Sequence, residues 1–169
     1  MKRSLVILGL LVATALLPAC KMSYSFTGAS IPAEAKTISV EYFANQAPLV
    51  VATLSQSFTD GLRDKFASQT TLDVINRNGD LAIEGIITGY STQAVAIQGN
   101  EQAALNRLTI TVKVKFTNKF KEKDNFEQAF TRYADYSSSQ NLVSVQEGLI
   151  QEISEGLIDD IFNKAVVNW

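Results

Sequence analysis

The sequence predicts an α+β fold: a mostly antiparallel sheet of about four strands, with two helices packed on one face as a two-layer sandwich. Three observations predict it. Residues 108–117 alternate, with Leu108, Ile110, Val112, Val114 and Phe116 on one side and Thr109, Thr111, Lys113, Lys115 and Thr117 on the other, as in a strand with one dry and one wet face. Two segments, opening near Pro48 and Ser144, repeat apolar residues at helical spacing. The order of patterns is strand, helix, three or four strands, helix, and one shared core satisfies it.

The elements follow in chain order. Tyr24 and Phe26 alternate with Ser23 and Ser25, so an edge strand is expected there, and Thr37 to Phe43 alternates as a half-buried strand. Pro48 opens a helix on which Val50, Leu54, Phe58, Leu62 and Phe66 make one apolar stripe. Leu72 and Val74 begin a strand that meets the dense turn signal Asn76-Arg77-Asn78-Gly79-Asp80. Leu81 to Ile87 resumes the strand, and Gly85 and Gly89 predict a bulge or a close backbone approach rather than a phosphate cradle. Extended chain runs from Ser91 to Gln98, and Gly99-Asn100 gives a turn into the long strand. After a charged turn over 119–125, the aromatic spacing of Phe126, Phe130, Tyr133 and Tyr136 fits a helix, whereas the length and the neighbouring hairpin fit a strand; a strand is expected.

Ser144 and Glu147 form a capping box for the last helix, whose buried face holds Leu149, Ile150, Ile153, Leu157, Ile161, Phe162 and Ala165. Glu147, Glu152, Glu155, Asp159 and Asp160 read as its solvated face and not as catalytic acids. Val166-Val167-Asn168-Trp169 is apolar enough to predict a terminus tucked against the domain.

Of the 169 residues, 46% are apolar and 19% charged, the balance of one ordinary globular domain. Histidine is absent, which removes the usual general base at neutral pH and the commonest nitrogen ligand for zinc or iron. Neither a cofactor nor a metal is expected. Chemistry needing only two carboxylates survives this exclusion, but nothing in the sequence points to such a pair.

Met1-Lys2-Arg3 precedes an uncharged apolar run from Leu5 to Leu17, shorter than the about 20 residues a membrane span needs. It reads as a signal-peptide core. Leu17-Pro18-Ala19-Cys20 resembles a lipobox, which makes residues 1–19 a lipoprotein signal peptide, Cys20 the lipidation site, and 20–169 a single lipid-anchored domain. Two other readings remain open: cleavage at Ala13-Thr14-Ala15 would leave Cys20 a free thiol, or Cys20 is a buried structural residue. Several acyl chains would make attachment effectively permanent. Without the leader, 13 basic residues face 17 acidic ones, a net charge of -4 that gives no help in holding nucleic acid. Lys21 stands where inner-membrane retention would need aspartate, and Lys21-Met22-Ser23 lacks an acidic export run, so the outer membrane facing the periplasm is expected.

The segments Tyr24 to Pro32 just after the lipobox, Thr37-Ile38-Ser39-Val40, and Leu62-Arg63-Asp64-Lys65-Phe66 are followed in order by Asn78-Gly79-Asp80-Leu81, Gly85, Gly89-Tyr90, Asn106-Arg107-Leu108-Thr109 and Phe162 to Trp169. Together they resemble the lipopolysaccharide-assembly lipoprotein (LptE-type) family in its Bacteroidetes-like branch. That resemblance implies a non-enzymatic plug and assembly partner for the outer-membrane β-barrel translocon that inserts lipopolysaccharide, with lipopolysaccharide itself a ligand. It carries over no binding residues. The alternatives are a periplasm-facing lipoprotein acting as an adaptor or soluble-ligand binder, and an enzyme with carboxylates meeting in a cleft.

Ligand contact is expected on the wet side of the long strand and the turn beyond it. Arg107, Lys113 and Lys115 share that face with Thr109, Thr111 and Thr117, and Lys119, Lys121 and Lys123 follow. Cations beside hydroxyls suit a glycan bearing acidic groups. The competing account is that lysines keep an exposed strand soluble.

Overall fold

The computed structural model describes residues 31–49, 51–95 and 104–167. Cys20, the leader, the Tyr24–Phe26 stretch, Val50, the Gly99-Asn100 turn and Trp169 lie outside them.

Among the described residues, six strands and two long helices form two layers. The strands are β1 (Thr37–Val40), β2 (Ala44–Asn45), β3 (Asp73–Ile75), β4 (Leu81–Val95), β5 (Leu105–Asn118) and β6 (Phe126–Ser137), and the helices are α1 (Ala52–Gln69) and α2 (Leu142–Phe162). The sheet runs β3-β1-β4-β5-β6, with β2 also on β4. The long strands β4, β5 and β6 pair antiparallel, whereas β1 is parallel to both β3 and β4. The expected antiparallel sheet is therefore the larger part of a mixed one.

Parallel pairing normally needs a crossover of a dozen residues or more, yet only residues 76–80 join β3 to β4. Local bonds make so short a loop possible. Asn78 takes a positive φ of 62°, and Gly79 lies against the backbone of Ile38 and Ser39, where a Cβ would collide. The Ser39 hydroxyl accepts the Gly79 amide, so the chain crosses β1 on the face away from the helices. Asp80 then accepts the amides of Lys36 and Thr37 at 2.9 and 3.1 Å.

The expected strand over 37–43 ends at Val40. Beyond it the alternation slips, so that Phe43 is fully buried and Tyr42 is 53% exposed. The Phe43 amide donates to Thr59 Oγ1 of α1, and its ring meets Phe58 edge-on with centroids 5.1 Å apart. Leu54, Phe58, Leu62 and Phe66 of the helical stripe are all inaccessible to solvent. Helix α1 begins at Ala52, four residues past Pro48, and no side chain caps it.

The even positions from Leu108 to Phe116 are buried under the helices as predicted. Phe126–Ser137 is a strand paired along its length with β5, and β4 carries its bulge between Ile87 and Gly89. Gly85 faces the Phe43 ring with no room for a side chain. The capping box at Ser144 is not used. Asn141 caps α2 by accepting the Val143 amide, and the Ser144 hydroxyl donates back to the Asn141 carbonyl, which extends the helix by one turn. Asn competes with Ser as an N-cap, and its earlier position wins. The acids of α2 are exposed or half-buried along its flanks, with Asp159 bonded to Lys65 and Asp160 to Arg132. Val166 is buried, so the end of the described chain is tucked down.

Candidate functional site

With the helices covering one face, the outer face of β4, β5 and β6 carries three of the predicted cations, Arg107, Lys113 and Lys115. The strand register arranges it in cross-strand rows: Glu84, Lys115 and Glu127; Ile86, Lys113 and Ala129; Gly89, Thr111 and Thr131; Ser91, Thr109 and Tyr133; Gln93, Arg107 and Asp135. Opposite charges placed across strands attract. Lys113 meets Glu127 at 2.6 Å and Lys115 meets Glu84 at 3.5 Å, while the Thr111 and Thr131 hydroxyls bond at 3.0 Å. Hydrogen bonding from Lys113, and then its charge, holds the Glu127 carboxyl below the usual carboxylate range.

The six predicted ligand residues do not form one patch. Arg107 lies six positions along β5 from Lys113, about 20 Å at strand rise. There it is clamped by both oxygens of Asp135 at 2.7 and 2.8 Å and stacked 3.6 Å from the centre of the Tyr133 ring. That fork leaves Arg107 little capacity for a ligand, and its hydrogen bonds lower the Asp135 pKa. Lys119 sits at the other end of the sheet, donating to the Asn78 carbonyl at 3.1 Å. Lys121 precedes the short 3-10 turn Glu122–Asp124 that contains Lys123.

Lys113 and Lys115 are brought together in a shallow cleft of about 410 Å³. Glu41, Tyr42, Glu84, Ile86 and Glu127 share it. Two cations against three carboxylates make this a mixed-charge surface and not a basic one. Glu41 and Tyr42 come from the link between β1 and β2, and Glu84 and Glu127 from the strands either side of β5, so all four were missed; the one signal in the sequence is that the adjacent Tyr42 and Phe43 break the alternation of 37–43. Among the described residues, no cluster of three or more His, Cys, Asp or Glu is placed to hold a metal ion, and no helix is long and apolar enough to cross a membrane.

Comparison with curated protein sequences gives no match. Similar solved structures include a hypothetical protein from Chlamydia trachomatis, at 8% identity with 78% of this chain and 98% of that one covered and a TM-score of 0.50. Rare lipoprotein B from Shewanella oneidensis (10% identity, 76% and 90% covered, TM-score 0.45) and a minor lipoprotein from Acinetobacter baumannii (13% identity, 72% and 88% covered, TM-score 0.46) are also similar. At 8% identity the Chlamydia trachomatis match speaks to fold alone. The lipopolysaccharide-assembly model, LptE, matches residues 35–165, a span that takes in all six described strands and both long helices. The chain belongs to the LptE family, whose members are non-enzymatic lipoproteins of the cell envelope that act in lipopolysaccharide assembly.

Proposed function

We propose that this domain, anchored through Cys20 to the outer membrane and facing the periplasm, plugs and helps assemble the β-barrel translocon that inserts lipopolysaccharide. Lipopolysaccharide meets it on the outer face of the sheet, in the cleft of Lys113 and Lys115. The family match across residues 35–165 carries the reading. The geometry of the face supports it: Lys113 and Lys115 are more than half exposed, as are their partners or nearly so. Ion pairs this exposed add little to stability. A lysine can therefore exchange its carboxylate for a phosphate or acidic sugar at little cost, while Tyr42, Thr111 and Thr131 offer a sugar an aromatic edge and hydroxyls. Lys119 adds a cation at the end of the same strand.

Purification of the protein from its own membranes in mild detergent tests the partnership. A β-barrel recovered at one-to-one is expected. A stoichiometric soluble partner and no barrel would favour the adaptor reading instead.

A further inference from the structure

The two helices point the same way but are not equally close along their length. Near their C-terminal ends they touch: a Cβ on Gly61 would lie 2.9 Å from Ile158 Cδ1, Lys65 meets Asp159 at 2.7 Å, and the Phe66 and Phe162 rings are 5.1 Å apart. Toward their N-terminal ends they part, and a wedge of about 600 Å³ opens to solvent. Thr53 and Ser57 of α1 face Gln146, Gln151 and Glu155 of α2 across it, over Ile150 and Ile158.

This wedge is a different surface from the sheet face, and three features make it unfinished. Ser154, only 7% exposed, lines it with a hydroxyl that has no hydrogen-bond partner. Leaving such a group unpaired is costly, and a helical serine ordinarily avoids this by bonding a carbonyl one turn back. At the mouth, Val143 is 78% exposed. Charge is one-sided: Glu147 and Glu155 line the wedge, and among the described residues no lysine or arginine does. The uncapped start of α1 brings about half a positive charge that fades within one turn, less than two carboxylates set deeper along the helix.

We propose that the wedge docks an amphipathic helix of a partner protein, apolar on the face that enters and rich in lysine or arginine along its flanks. Its apolar side chains fill the gap over Ile150 and Ile158, a polar group pairs with Ser154, and its cations face Glu147 and Glu155. Because the sheet's outer face lies on the opposite layer, a helix here and a glycan there are compatible, and the inference stands whether or not lipopolysaccharide binds.

A labelled leucine–lysine helical peptide is the probe, titrated by fluorescence anisotropy against the full-length protein in an uncharged detergent. Binding is expected. Joint substitution Glu147→Lys and Glu155→Lys should weaken it about tenfold, as loss of close charge pairs does, and Ser57→Leu, which fills the wedge, should weaken it about as much. Glu152→Lys, on α2 but outside the wedge, should leave the affinity within about twofold. Thermal melts establish that each variant is folded, with Ser57→Val replacing Ser57→Leu if that one is not. Three results would overturn the proposal: no binding, an equal loss with Glu152→Lys, which marks diffuse attraction to an acidic helix, or a dimer of the protein itself that Ser57→Leu dissociates.

Discussion

Lys113 of β5 reaches diagonally across the sheet to Glu127 of β6, closing to 2.6 Å, although the residue directly opposite Glu127 is Lys115. Lys115 turns the other way, to Glu84 of β4. The two lysines thus divide the carboxylates of the neighbouring strands between them, and the face they share is held close to neutral by contacts that are individually weak.

Glu127→Gln should release Lys113 without disturbing the strand. If Lys113 contacts lipopolysaccharide, the variant binds it more tightly, by about two- to fivefold. Titration of the purified protein with lipopolysaccharide measures this. An unchanged or lower affinity would take Lys113 out of the contact.

Phe58 lies between α1 and the Phe43 ring with no exposed surface. Phe58→Ala should cost about 3–5 kcal/mol and Leu54→Ala about 2–5 kcal/mol, from lost transfer energy and the cavity left behind. Urea unfolding reads both. A Phe58→Ala protein as stable as the parent would mean that the stripe is not the core.

The carboxyl of Asp80 has its pKa lowered, first by the Lys36 amide and then by Thr37. Glu127 and Asp135 are lowered as well. A folded pKa below the unfolded value of about 3.9–4.3 stabilises the fold fully above that value, and the contribution disappears as pH falls through the folded pKa. Unfolding midpoints should therefore drop on acidification below about pH 4, and Asp80→Asn should flatten that decline. Superimposable acid limbs for the two proteins would contradict the role given to Asp80.

Cys20→Ala should yield a folded domain that is no longer membrane-attached. Metabolic labelling with a fatty-acid analogue followed by fractionation tests it. Label persisting in the variant would place the lipid elsewhere.

What the sequence conveyed and what it concealed divide along a physical line. Local periodicity revealed the α1 stripe and the dry face of β5, because burial of one face writes itself into consecutive residues. The parallel pairing of β1 was hidden, since it depends on Gly79 and Asp80 reaching Ser39, Lys36 and Thr37 about forty residues away. The capping box at Ser144 misled for a related reason: Asn141 is an equally good cap one turn earlier, and only the helix itself chooses. Alternation correctly put Arg107, Lys113 and Lys115 on one face. It could not reveal that Asp135, Glu127 and Glu84 answer each of them, because cross-strand register is not encoded within a single strand.

The central claim, that lipopolysaccharide meets the outer face of the sheet, is tested most directly by neutralising its cations together. Reversal to glutamate would set like charges against Glu84 and Glu127, so Lys113→Gln, Lys115→Gln and Lys119→Gln are combined in one protein and its lipopolysaccharide affinity is compared with the parent at low salt, where screening is least. The account predicts affinity reduced about tenfold or more, with a melting temperature within a few degrees of the parent, because exposed pairs add little stability. Affinity equal to the parent's in a protein that remains folded would contradict it.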